Sequence, residues 1–311
     1  MATTLVHFLG VFLFLFLLAL FHPFMVQSRS LKPKSDHSLK FLQNLEGIQK
    51  GDSNKDLPAI RNYLKAFGYF DNGDSNSSSN LLNEEIFDEG LESAIKKFQQ
   101  FYNLNVSGKL DFDTIKLIST PRCGVPDHVS HSSNLNNSKY KFFDGNPTWP
   151  TSKFHLTYSI QCGVPDGDPV PLDTLRYALN YSFGVWSSIT LFTFTEVPRG
   201  TPSDLVIGFQ RLDHGDGFPF DGPGNVLGHS FAPTDGRMHL DADENWSTDA
   251  QVKSSQYDLI WVVIHEIGHL LGLQHSVDTN AIMYAYMTPG VNKDYLGEDD
   301  IDGIKALYKN L

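Results

Sequence analysis

The chain has 311 residues, 41% of them hydrophobic and 13% aromatic, enough for one or two packed domains plus processing segments. A formal net charge of −12 argues against a nucleic-acid partner, which calls for a basic surface; the acidic excess fits solvation and clusters of cation ligands. With only two cysteines, Cys123 and Cys162, a disulfide scaffold is excluded.

Residues 1–28 read as a secretory signal peptide, since Leu5–Phe24 is almost wholly apolar and Val26-Gln27-Ser28 offers small residues near a cut. The run is also long enough to span a bilayer, so an uncleaved signal anchor is the alternative. No second apolar run of spanning length follows, and Ala306–Leu311 lacks the hydrophobic tail of a GPI anchor, so none is expected. Asn76, Asn105, Asn136, Asn180 and Asn245 each open an N-x-S/T sequon and are glycosylation candidates in an exported chain.

Residues 29–147 are expected to form a propeptide. After a basic, polar lead-in (29–45), Leu57, Ile60, Leu64 and Phe67 fall on one helical face, and so do Leu91, Ile95, Phe98 and Tyr102. Between them Asp71–Asn80 is rich in Asn, Ser and Gly and reads as a loop. Leu110–Ile118 supplies a third, short helix. The unit, about 45–118, contains Ala94-Ile95-Lys96-Lys97-Phe98-Gln99 and Val106-Ser107-Gly108-Lys109-Leu110-Asp111. On those two stretches it resembles the peptidoglycan-binding-like domain of metalloprotease propeptides; a generic helical bundle is the alternative.

Pro121-Arg122-Cys123-Gly124-Val125-Pro126-Asp127 follows. A thiolate is a strong zinc ligand. Residues 121–127 resemble the cysteine switch of the matrix metalloproteinases, or matrixins. The resemblance implies that Cys123 is the inhibitory zinc ligand of a zymogen, with the chain's own propeptide as inhibitor. Arg122 and Asp127 have opposite charges, and the resemblance implies that they pair. Downstream, Cys162-Gly163-Val164-Pro165-Asp166 repeats the last five residues of the motif. Cys162 reads as a free loop cysteine, with a Cys123–Cys162 disulfide or a competing zinc thiol as alternatives. His128–Pro150 reads as a cleavable linker.

Residues 148–311 are expected to be the protease. Phe154–Ile160, Leu191–Val197 and Asp204–Phe209 read as strands. Leu172, Leu175, Leu179, Phe183 and Trp186 form the stripe of a long helix. This order fits a mixed α/β (α+β) fold with a helix behind the sheet. The resemblance sharpens it to a metzincin catalytic domain: a twisted, mostly parallel sheet, two long helices and a C-terminal helix, preceded by the small helical prodomain.

A dense ligand region comes next. His214, Asp216, His229 and His239 can make a closed N/O tetrahedral site, which has no place for substrate and is therefore structural. Asp221, Asp241 and Glu244 are hard oxygen donors suited to calcium, with the carbonyls of Gly222, Gly224 and Val226 filling the shell. These positions match the matrixin pattern H-G-D…F-D-G-P-G…H-x-F…H-x-D-x-x-E. The loop Pro233–Met238 is shorter than in typical vertebrate matrixins. Arg237 stands where they place an acidic ligand, so a second calcium site is expected to be missing or altered.

His265-Glu266-Ile267-Gly268-His269-Leu270-Leu271-Gly272-Leu273-Gln274-His275 carries the chemistry. His265 and His269 share a helical face, and Glu266 lies beside them as the catalytic base. Gly272 lets the chain turn so that His275 returns as a third ligand. Three ligands leave a fourth position open, the arrangement of a catalytic zinc. The stretch matches the metzincin pattern. Of the 12 histidines, the six beyond His155 all fall in these two zinc groups. Ser276 is the matrixin choice after the third ligand, and Met283 is placed as the Met-turn residue, a floor beneath the site. Ala285 stands where the family usually has proline in the S1′ wall, which leaves the pocket preference open. Asp299–Tyr308 reads as the last helix.

The resemblance implies a secreted zinc-dependent endopeptidase, made as a cysteine-switch zymogen and hydrolysing peptide bonds in extracellular or cell-wall proteins. The absence of a hemopexin-like domain resembles the small plant-type enzymes. Two zinc ions, one catalytic and one structural, and calcium are the implied cofactors. Protein or peptide substrate is expected as an extended strand along Leu227–Phe231. The expected location is the extracellular space or cell wall. A non-catalytic wall-glycan-binding protein, and a zinc hydrolase of non-peptide substrates, are the alternative readings.

Overall fold

The computed structural model describes residues 40–70, 84–127, 139–161, 163–164 and 167–309. The signal segment, most of the lead-in, the loop 71–80, most of the linker, Cys162 and the sequons at Asn76 and Asn136 lie outside the described residues. The described residues belong to one compact unit, which holds both the pro-segment and the protease body. No helix among the described residues is long and apolar enough to cross a membrane.

The pro-segment is helical: α1 (Lys40–Gln43), α2 (Leu57–Ala66), α3 (Glu89–Phe101) and α4 (Phe112–Ile118). Both expected stripes are buried, Leu57, Ile60, Leu64 and Phe67 packing with Leu91, Ile95, Phe98 and Tyr102 in a common core. The helices start where their caps dictate. Asp88 accepts from the Leu91 amide at 2.8 Å, and Asp111 from the Thr114 amide at 3.0 Å, each satisfying a donor that the first turn leaves open. Gln99 is fully buried and ties α3 to the loop before α4. Its amide donates to the Ser107 hydroxyl, the Lys109 carbonyl and the Thr114 hydroxyl, and its oxygen accepts from the Gly108 amide.

The protease body is built on a five-stranded sheet. Its members are β2 (His155–Gln161), β3 (Thr193–Glu196), β4 (Leu205–Gln210), β5 (Gly228–Ser230) and β6 (Arg237–Asp241), in the order β3-β2-β4-β6-β5; the short β1 (Lys141–Phe142) lies apart. All pairings are parallel except β5 with β6. The antiparallel strand β5 forms the edge beside β6, opposite the β3 edge. Helix α5 (Leu172–Ser187) packs behind the sheet, and β7 (Trp246–Ser247) pairs with β8 (Tyr257–Asp258) just before α6 (Leu259–Leu270). A final pair, β9 (Leu273–Gln274) against β1, and α7 (Glu298–Leu307) close the body. This is the expected mixed fold. One stripe residue departs from expectation: Leu172, at the first turn of α5, is 41% exposed, because the helix only reaches the sheet one turn later, at Leu175.

Every residue of α6 is buried. Its carbonyls are pinned from two sides: the Trp186 indole donates to Ile264 O at 2.9 Å and the Trp149 indole to Leu270 O at 2.8 Å. Gly272 then turns the chain with φ +102°, and a Cβ there would run into the Pro147 carbonyl oxygen. Gly272→Ala is thus expected to combine left-handed strain with a backbone clash and to destabilise the fold by about 2 kcal/mol or more. A shift of the urea midpoint of that size checks it; an unchanged midpoint would mean that the turn tolerates a side chain.

Candidate active site

The turn at Gly272 brings three imidazoles together. The Nε2 atoms of His265 and His275 lie 3.1 and 3.3 Å from Nε2 of His269. Each ring is oriented from its far side: Nδ1 of His265 meets Ile282 O, Nδ1 of His269 meets Leu273 O, and Nδ1 of His275 meets an Asp127 carboxylate oxygen, each at 2.8 Å. Cys123 Sγ stands 3.4 Å from His269 Nε2, and one donor atom from each of the four residues falls within 4.8 Å of the others. All four side chains are fully buried. Burial pushes His265 and His269 well below the ordinary histidine range, so their Nε2 lone pairs are free for a cation. One sulfur and three imidazole nitrogens form a donor set that fits zinc. Cys123 is a free, buried thiol.

Glu266 is fully buried beside this group, and neither carboxylate oxygen has a hydrogen-bond partner. Burial pushes its carboxyl up to about 7. Ser230, on the edge strand, also has a buried hydroxyl without a partner. Two orphaned polar groups facing the metal-ligand cluster leave hydrogen bonds for water or a reacting peptide to complete. Beneath, Met283 is 2% exposed and packs so closely on Gly268 that a Cβ at that glycine would overlap its sulfur. The Ser276 hydroxyl donates to Asp299 at 2.6 Å, and Asp300 accepts from the Ile282 and Met283 amides, joining α7 to the floor of the site.

A second cluster lies on the sheet edge. Asp216 Oδ2 sits 2.9 Å from His214 Nε2, 2.7 Å from His229 Nε2 and 2.8 Å from His239 Nδ1. The β5–β6 register places His229 directly opposite His239. Burial lowers the His229 pKa to about 4, leaving it neutral and able to ligate. This closed His3Asp set also fits zinc. Among the described residues, Asp221, Asp241 and Glu244 do not form a third converging group. Asp221 and Glu244 both meet the loop 221–226: Glu244 accepts from the Gly224 amide at 2.6 Å and Asp221 from the Val226 amide at 3.3 Å. Asp241 Oδ2 is buried without a partner; burial and the nearby Asp221 push Asp241 up to about 7. Arg237 pairs with Asp235 and lies over the Phe231 ring.

The cleft between the edge strand and residues 285–287 is filled by the pro-segment. Arg122 N donates to Asn225 O at 2.6 Å, Leu227 N to Arg122 O at 2.9 Å, and Gly124 N to Gly228 O at 2.8 Å. On the other wall Cys123 N donates to Ala285 O and Met287 N to Pro121 O. Arg122 and Asp127 form the expected pair at 2.6 Å, both buried. The Arg122 guanidinium also lies 3.6 Å from the Phe67 ring centre and 5.0 Å from that of Tyr286. Tyr63 on α2 meets Tyr286 hydroxyl to hydroxyl at 2.7 Å. Ala285 and Tyr286 thus belong to the pro-segment's apolar core.

The sequence profile of the Matrixin family matches residues 148–309, and a peptidoglycan binding domain profile matches residues 53–118. The chain belongs to the matrixin family. Metalloendoproteinase 1 of Glycine max is 42% identical over 83% of this chain and 83% of its own length. Metalloendoproteinase 1-MMP of Arabidopsis thaliana is 39% identical over 85% of this chain and 72% of its own. Interstitial collagenase of Oryctolagus cuniculus is 41% identical over 69% of this chain and 42% of its own. This matrixin is a zinc metalloendopeptidase with a helical N-terminal region. Reasoning from the sequence missed four of the matrixin's contacts: Asp127 on His275, Gln274 Nε2 on Pro126 O, Tyr63 on Tyr286, and the orphaned Ser230 beside Glu266.

Proposed function

We propose that this matrixin is exported as a latent precursor and, once processed, cleaves peptide bonds in extracellular or cell-wall proteins. In this reading residues 1–28 are the signal peptide, 29–147 the propeptide and 148–311 the protease. The strand formed by Arg122–Gly124 supports latency most directly, because it occupies both walls of the cleft and aims the Cys123 sulfur at the three imidazoles. It runs parallel to the edge strand at Arg122 and Val226. A substrate is proposed to take the same slot in the opposite direction, antiparallel to β5.

His265, His269 and His275 would hold the catalytic zinc, with Cys123 as fourth ligand in the precursor. When bound, zinc supplies Lewis-acid charge that polarises the scissile carbonyl and acidifies the attacking water. Glu266 takes the proton of that water and hands it to the leaving amine nitrogen, helped by its burial and its lack of competing partners. Backbone groups of the edge strand hold the substrate in register, and Ala285 and Tyr286 line the pocket wall. His214, Asp216, His229 and His239 would hold a structural zinc. Asp221, Asp241 and Glu244, with Gly222, Gly224 and Val226, would hold calcium, a reading supported by the orphaned Asp241 oxygen. Asn105, Asn180 and Asn245, all exposed, are the described sequons proposed to carry glycans; the Asn180 oxygen accepts from the Tyr158 hydroxyl and the Asn245 amide donates to Ser255 O.

The test is cleavage of a quenched peptide by the processed chain. Activity should vanish with 1,10-phenanthroline and return on zinc addition. Undiminished hydrolysis in the chelator would remove the metal from the reaction.

A further inference from the structure

The three imidazoles that converge on Cys123 are not oriented in the same way. His265 and His269 rest their Nδ1 atoms on the Ile282 and Leu273 carbonyls, which belong to the protease body. His275 rests its Nδ1 on the carboxylate of Asp127, which belongs to the pro-segment. Asp127 is itself immobilised. It is fully buried, accepts two hydrogen bonds from Arg122 at 2.6 and 3.0 Å and one from the Tyr69 hydroxyl at 2.6 Å, and its amide donates to Phe67 O. A further link runs alongside: Gln274 Nε2 donates to Pro126 O, while Gln274 Oε1 accepts from the His275 amide.

A carboxylate behind an imidazole fixes its tautomer and makes its other nitrogen a stronger ligand than a carbonyl would. We infer that Asp127 is a positioning residue for the metal: the pro-segment lends His275 a carboxylate, so the precursor holds its zinc more firmly than Cys123 alone provides, and processing removes both contributions together. This rests on His265, His269 and His275 being the zinc ligands. The pro-segment then has two separable effects on one site. Cys123 acts from the cleft side, as a ligand. Asp127 acts from behind His275, through the ring.

The two separate in the full-length precursor carrying Glu266→Gln, which cannot process itself. Zinc loss to an excess of a chromophoric chelator is timed with and without Asp127→Asn, and again with Cys123→Ser present. Asp127→Asn should speed the loss by about tenfold with Cys123 intact, the scale typical of outer-shell partners, and by less with Cys123→Ser, which lets the pro-segment leave the cleft. Tyr69→Phe, which removes an Asp127 contact without touching His275, should change it far less. Cobalt(II) substitution supplies a signature that simple loosening would not. The precursor should show three slowly exchanging, paramagnetically shifted Nδ1 protons, and processing should set one of them, and only one, exchanging with solvent. That comparison needs no Asp127 variant to fold. Stoichiometric cobalt with three equally protected protons after processing, or equal zinc loss with and without Asp127→Asn, would overturn the role of Asp127 alone. A precursor that binds no stoichiometric cobalt at His265, His269 and His275 would overturn the zinc assignment and this inference with it.

Discussion

Glu266→Gln in the processed matrixin should lower peptide hydrolysis by about a hundred- to ten-thousand-fold, the usual worth of a general base, and leave the metal content unchanged. Gln keeps the length and shape of the side chain and gives up only its ability to take and return a proton. Glu266 does not orient the histidines: His265 and His269 rest their Nδ1 atoms on the Ile282 and Leu273 carbonyls, which stay with the processed protease. The fold should tolerate the change as well. Both Glu266 oxygens are buried without partners, so no existing hydrogen bond is broken. Zinc analysis beside kcat and KM on a quenched peptide separates the outcomes. A lost activity accompanied by lost zinc would make Glu266 a support of the metal site; retained activity with zinc bound would put the proton on another group.

What the sequence made legible was whatever repeats at short range. The 3.6-residue stripes of α2 and α3 give their buried faces, and the spacing of His265 and His269 puts both on one side of α6. Gly272 was readable because a positive φ there has few other solutions. Failures began where two distant segments meet. His229 and His239 are evident as ligand types, but their direct opposition follows from a β5–β6 register that no local pattern prints. The Tyr63–Tyr286 contact spans 223 residues, and the Asp127–His275 contact 148. Each exists because the pro-segment lies in the cleft, and the cleft forms only when the edge strand and residues 285–287 are both in place. The loop over Asp221 and Glu244 was legible in its ligand types but not in its backbone bonds: the Gly224 and Val226 amides donate to Glu244 and Asp221. Side-chain type constrains what a loop can bind, and backbone direction is set by turns such as those at Gly222 and Gly224, both with positive φ.

Cys123→Ser should abolish latency. The full-length precursor is expected to convert itself to a fragment beginning near residue 148 without any added protease, at a rate at least about a hundredfold above wild type. The reasoning weighs two kinds of hold on the cleft. The strand hydrogen bonds of Pro121–Gly124 and the buried Arg122–Asp127 pair remain in the variant. Each backbone bond contributes about 0.5–1.5 kcal/mol net, and water or a substrate strand replaces it on release. The sulfur has no such replacement, since a serine hydroxyl is a poor zinc ligand beside a thiolate. Losing about 2.7 kcal/mol of differential hold raises the open population about a hundredfold, because each 1.4 kcal/mol is a factor of ten. Self-cleavage then makes the change irreversible, as the pro-segment is no longer tethered. The double variant Cys123→Ser, Glu266→Gln isolates the cause: it should open equally and remain uncut, so its intact mass over the same hours excludes a contaminating protease. A Cys123→Ser precursor that stays whole and inactive would mean that the strand, the Arg122–Asp127 pair and the aromatic contacts of Tyr63 and Phe67 suffice to keep the cleft shut, with the thiol incidental to latency.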